Sequence, residues 1–155
     1  MDTPSYVYVC YIATTPEQLW RALTDSELTQ KYWRRVESDW LPGSQVTYWI
    51  DDARIDLQGI VLLAEPGQML SFTFGVQWLE HMRDEKPSRV TFELEALGDV
   101  VKLTMTHDEF APGSKVYHGI QQGWPAILSS LKTLLETGKP LHYTHWVDPL
   151  EKIGS

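Results

Sequence analysis

The chain has 155 residues, 43% hydrophobic and 22% charged, the length and usage of one ordinary globular domain and not of a disordered chain. With 21 acids against 13 bases the net charge is −8, which argues against nucleic acid or an anionic membrane surface as partner, since both need a basic face. The unusual quantity is aromatic content: 7 Trp, 7 Tyr and 4 Phe, or 12% of the residues, enough to build a bulky core or to line a cavity.

The opening Met1-Asp2-Thr3-Pro4 has neither the basic region nor the apolar core of a signal peptide. No run of 18 apolar residues is present, so no membrane span is expected and the expected compartment is the cytoplasm. The first strand is expected over Tyr6 to Ile12, with the single cysteine, Cys10, as a small core residue that has no disulfide partner. A helix start follows: Thr15 is placed to cap, Pro16 suits the first helical position, and Leu19, Trp20 and Leu23 recur at helical spacing. Trp20 is assigned to the core. Asp25 or Ser26 opens a second short helix that runs to about Tyr32.

From there the period changes to two. Strands are expected over Ser44 to Ile50, Ala53 to Ala64, Met69 to Phe74, Ser88 to Ala96 and Val100 to His107, separated by turns at Asp51-Asp52, Pro66-Gly67 and Gly98-Asp99. The stretch Gly75 to Pro87 reads as a mobile connection between two of them. In the last two strands Val90, Phe92 and Leu94, then Val101, Leu103, Met105 and His107, alternate with polar residues, which describes an antiparallel sheet with one wet and one covered face. A final helix carries Ile120, Trp124, Ile127, Leu128, Leu131, Leu134 and Leu135 at spacings of three and four, and Gly138 and Pro140 end it. Pro125 sits inside this pattern. The helix is read as starting near Ser114 with a kink at Gly123-Trp124-Pro125, the alternative being a start at that point. The domain is expected to span 1–138, with 139–155 as a tail packing on it or extending from it.

The run Ala13-Thr14-Thr15-Pro16-Glu17-Gln18-Leu19-Trp20-Arg21-Ala22-Leu23-Thr24-Asp25 resembles the opening helix of the START-related SRPBCC superfamily, and within it the branch named for the activator of the heat-shock-protein-90 ATPase. Ser38-Asp39-Trp40, Pro42-Gly43-Ser44, Gly59 to Leu70 with Pro66, Thr106-His107-Asp108 and Gly123 to Lys132 continue the resemblance in the same order. The resemblance implies an α+β helix-grip fold like that of the birch-pollen allergen, a curved antiparallel sheet around a long C-terminal helix. It also implies a ligand class: members bind lipids, hormones, polyketides or antibiotics in a central cavity, some are cyclases or hydrolases, and one branch stimulates a chaperone ATPase.

The candidate ligand-binding residues follow from placement on the covered faces. Phe72, Phe74, Phe92, Met105 and His107 share those faces of their strands, and Trp124 lies on the helix stripe. Trp33, Trp40, Trp49, Trp78 and Phe110 fall near turns or strand ends, where a cavity mouth would be. Tyr48, Tyr117 and Gln121 join His107 as the few polar groups that fix a ligand's orientation. The expected function is non-catalytic binding of a hydrophobic or aromatic small molecule between sheet and helix, without cofactor or metal. One alternative is a cyclase- or hydrolase-type enzyme with His107 as acid or base, since its ordinary pKa lies near neutrality. A second is an interaction module that modulates a chaperone ATPase or serves a stress response. His107, Asp108, Glu109 and His118 invite a metal reading, but neighbours on a strand point to opposite faces and do not converge on one ion. Glu80, His81 and Asp84 read as a solvated loop, and Asp39 as a turn cap with a general-base role only by family analogy. The segment Gln77-Trp78-Leu79 is a candidate homodimer contact.

Overall fold

The structure, a computed structural model, describes residues 4–141. Trp146 and most of the expected tail lie outside the described residues. Strand β1 (Tyr6–Ile12) is followed by helices α1 (Pro16–Thr24) and α2 (Ser26–Tyr32). Then come β2 (Arg35–Ser38), β3 (Gln45–Trp49), β4 (Ile55–Glu65), β5 (Met69–Val76), a single turn of helix α3 (Glu80–Arg83), β6 (Ser88–Leu97), β7 (Val100–Asp108) and the long helix α4 (Lys115–Thr137). The seven strands form one antiparallel sheet in the order β1-β7-β6-β5-β4-β3-β2, and α4 lies against its covered face. This is the helix-grip fold.

Local chemistry sets the element ends. Thr15 accepts from the Gln18 N–H at 3.2 Å, and Asp25 accepts from the Glu27 N–H at 2.9 Å, so both short helices begin on side-chain caps. Ser114 caps α4 by accepting from the Tyr117 N–H, and Gly138 closes it in the left-handed conformation at φ 86°. Pro125 lies within one continuous helix, so α4 does not begin at Gly123. The donor that Pro125 lacks would have met the carbonyl of Gln121, an exposed residue open to water.

Two expectations change. The stretch after α2 contains β2, an edge strand of four residues that runs Arg35↔Trp49 to Ser38↔Val46 against β3. Its polar composition and shortness hide it from a period-two reading. The connection Gly75 to Pro87 is anchored through Met82 and Glu85. Met82 of α3 is buried at 1% exposure, and the Glu85 carboxylate accepts from Ser114 Oγ at 2.6 Å and from the Lys115 N–H at 2.8 Å. A carboxylate on the first turn of α4 also meets the positive end of the helix dipole.

The sheet bends where β4 crosses β5. The β4 register shifts between Val61 and Leu63, and Ile60 N–H donates to Thr73 Oγ1 in place of a ladder bond. Gly59 allows this: a Cβ there would run into the carbonyl oxygen of Thr73. Gly59→Ala is therefore expected to destabilise the fold by about 1–3 kcal/mol, the range for overpacking a closed contact. Urea unfolding checks this, and an unchanged midpoint would mean that the bend does not need a glycine.

Candidate functional site

Strand alternation and the 3.6-residue helix period bring one set of rings together between sheet and helix. Trp33, at the end of α2, meets Tyr48 of β3 at 4.5 Å between ring centroids and Trp124 of α4 at 5.3 Å. Tyr48 meets Phe72 at 5.9 Å, Phe72 meets Phe92 at 6.3 Å, and Phe92 stands edge-on to Trp124 at 5.9 Å. Phe74 lies 6.1 Å from Trp124 and 4.6 Å from His107. Phe110 stacks on His107 at 4.5 Å and meets Tyr117 at 5.0 Å. These separations are those of aromatic pairs in direct contact. The rings expected to line a cavity touch one another across the sheet–helix interface.

His107 is fully buried, and both its nitrogens are engaged. The Trp124 indole N–H donates to Nδ1 at 3.0 Å, so Nδ1 carries no proton. The proton of the neutral ring is then on Nε2, which donates to Ser88 Oγ at 2.7 Å. Ser88 Oγ in turn donates to the Phe74 carbonyl at 3.4 Å, a weak closing contact. Burial pushes the imidazole pKa down from 6.5 to about 3, because the charged form has no water and no counter-charge in contact. With both nitrogens used, the ring presents no free lone pair to a substrate, and its geometry is that of a strut between α4, β6 and β7.

The structure places the remaining candidates as follows. Met105 is fully buried on the His107 face of β7. Tyr48 is buried, and burial together with nearby Tyr32 keeps its hydroxyl protonated well above the ordinary range. Trp40, Trp49, Trp78 and Gln121 are not brought into the ring cluster. Trp40 takes a left-handed backbone at φ 56° and donates its indole N–H to the Thr24 carbonyl, pinning the β2–β3 connection to the end of α1. Trp49 packs under the Arg35 guanidinium at 5.4 Å, and Trp78, 38% exposed, under that of Arg54 at 4.7 Å. Gln121 is exposed and bonds its own helix at the Tyr117 carbonyl. Asp39 is exposed, and the turn is capped instead by Ser38 and Ser44, which accept from the Trp40 and Leu41 N–H groups. Among the described residues no group of three His, Cys, Asp or Glu side chains is placed to hold a metal, and Asp108 is bidentate to Arg89.

Two groups escape the sequence reading. Ser88 stands in phase with Val90 and Phe92 at the start of β6, so strict alternation would have found it on the covered face. The second is a cleft of about 240 Å³ at the sheet edge, lined by Trp33, Arg34, Arg35, Trp49 and the Asp51-Asp52 turn. It depends on pairing between β2 and β3 that no local pattern reveals. A larger hollow of about 320 Å³ lies on the wet face, among Glu65, Glu93, Glu95 and Lys102.

The fold and its ring-filled grip define a helix-grip domain. Residues 13–136 match the family described as activator of Hsp90 ATPase homolog 1-like protein, and the chain belongs to that family. No curated protein matches the sequence. Among solved structures it is similar to protein MLL2253 from Mesorhizobium loti, with 28% identity, a TM-score of 0.74, and 85% of this chain and 96% of that one covered. The Aha1 dimer from Colwellia psychrerythraea is similar at 20% identity and a TM-score of 0.71, with 88% and 98% covered. CalU16 from Micromonospora echinospora is similar at 19% identity and a TM-score of 0.71, with 97% and 83% covered. No helix among the described residues is long and apolar enough to cross a membrane.

Neutral, buried His107 makes stability depend on pH. Between pH 6.5 and about 3 the unfolded chain holds a proton at this ring that the folded chain lacks, so stability falls as pH falls through that window. The His107→Gln variant removes this titration. Urea unfolding across the window is expected to show a steeper acid loss in the native chain than in the variant. Equal slopes would mean that His107 is not held neutral.

Proposed function

We propose that this domain binds a hydrophobic or aromatic small molecule between the sheet and α4 and performs no reaction on it. The observation that carries the reading is the position of Trp33. Its ring touches Tyr48 and Trp124 inside the grip and at the same time lines the edge cleft. It is thus a half-buried member of the ring cluster, and its displacement opens a path from solvent to the faces of Tyr48 and Trp124. The apolar lining with few polar groups suits such a ligand, and family membership supports the same reading. The bonding of both His107 nitrogens favours binding over acid–base chemistry.

A thermal-shift screen with fatty acids and planar aromatics, read together with tryptophan fluorescence, tests this. A ligand present at a hundredfold excess over its Kd is expected to add about 2.7 kcal/mol of stability and to quench emission. A panel in which nothing shifts the melting temperature or the emission would overturn it.

Self-association is a second reading, favoured by the dimeric state of the Colwellia psychrerythraea neighbour and by the exposure of Trp78. Sedimentation velocity is expected to show a dimer that weakens in Trp78→Ser. A monomer at all concentrations would exclude it.

A further inference from the structure

We propose that the cleft at the sheet edge is a recognition site for a planar aromatic acid, its ring held by Trp33 and Trp49 and its carboxylate by Arg35. The inference rests on the reading that the domain takes up a small aromatic molecule, and it names the chemical class.

Register builds the site. Arg35 of β2 stands directly opposite Trp49 of β3, so guanidinium and indole share one face, the cation 5.4 Å from the ring centroid. Trp33 lines the same cleft with the ring that also meets Tyr48 and Trp124. The two arginines of the cleft have different duties. Arg34 is committed to the fold: its Nε donates to the buried Asp56 carboxylate at 3.0 Å. Among the described residues Arg35 makes no side-chain hydrogen bond, and its one carboxylate neighbour, Asp52, lies at 4.0 Å and is fully exposed. Asp51 is held elsewhere, by Arg54 and two backbone N–H groups. The cleft therefore offers one planar cation whose donor fork is open, beside two indoles. A guanidinium fork matches a carboxylate in a bidentate way, and that bond is stronger than a 4.0 Å contact with a solvent-exposed aspartate. At about 240 Å³ the cleft is smaller than the ~300–1,000 Å³ of drug-sized sites, which sets the occupant at one or two fused rings.

Naphthoate and neutral naphthol are the probes, titrated against the full chain. Binding is read by the indole N–H resonances of Trp33 and Trp49, assigned through single Trp→Phe variants. Naphthoate is expected to shift both resonances and to bind about tenfold more tightly than naphthol, with Arg35→Gln abolishing that preference. Asp52→Asn, at an exposed loop position, is expected to tighten naphthoate binding a few-fold by removing the competing carboxylate. Native-like melting of both variants establishes that they fold. Equal affinity for the two probes, or naphthoate binding indifferent to Arg35→Gln, overturns the aromatic-acid site while leaving the small-molecule reading standing. Absence of binding by naphthoate, naphthol and the apolar panel together overturns both.

Discussion

Inside the grip, where almost every neighbour is a ring or an aliphatic chain, the indole N–H of Trp124 meets Nδ1 of His107. A buried donor without an acceptor costs about 1–3 kcal/mol, so the two groups satisfy each other or the interface does not close. This one bond joins the middle of α4 to the end of β7. It sets the rotation of the helix about its axis, because only one face brings the indole to the histidine. It also sets the histidine tautomer, which directs the remaining proton to Ser88 on the neighbouring strand. Phe74, Phe92 and Phe110 then pack around a helix whose position is already decided.

The sheet must bend to meet that helix. Gly59 and Gly75 sit where β4 and β5 come too close for side chains, and the bend carries β2 and β3 round to face Trp33. At the other end of the sheet, α4 meets the C-terminal end of β1 with a charged pair. Lys132 donates to the Tyr11 carbonyl at 2.6 Å, and Glu136 accepts from the Ala13 N–H at 2.8 Å, so the Tyr11 carbonyl and the first N–H beyond β1 are occupied by side chains and not by another strand. The Ala13 N–H and then Lys132 hold the Glu136 carboxyl below its ordinary range. Glu85 performs a similar task at the start of α4, binding the β5–β6 connection to the helix N-terminus.

Much of the fold could be read along the chain because its signals are local. Caps at Thr15 and Asp25, the period-two faces of β6 and β7, and the stripe from Ile120 to Leu135 each report on residues a few positions apart. The same alternation correctly put His107, Met105, Phe92, Phe72 and Phe74 on the covered side. Strand β2 was not legible, because four residues reading Arg-Val-Glu-Ser have too little alternation to stand out. The anchoring of the β5–β6 connection was not legible either. Its polar composition resembles a solvated loop, and the one carboxylate that binds α4 finds its partners about 30 positions away.

The aromatic abundance posed a choice between bulk and lining that composition alone leaves open. By itself the sequence determined which rings face inward, since that depends only on the period of the element carrying them. Only the tertiary structure decided which of them meet. Trp40, Trp49 and Trp78 sit near turns just as Trp33 does, yet Trp33 alone reaches the inner cluster, because the angle at which α2 ends places its ring over Tyr48 and Trp124. The role of His107 was decided in the same way. An imidazole on a covered face fits a strut or a base equally well until the groups opposite its two nitrogens are known, and those groups come from a helix and a strand 17 and 19 positions away.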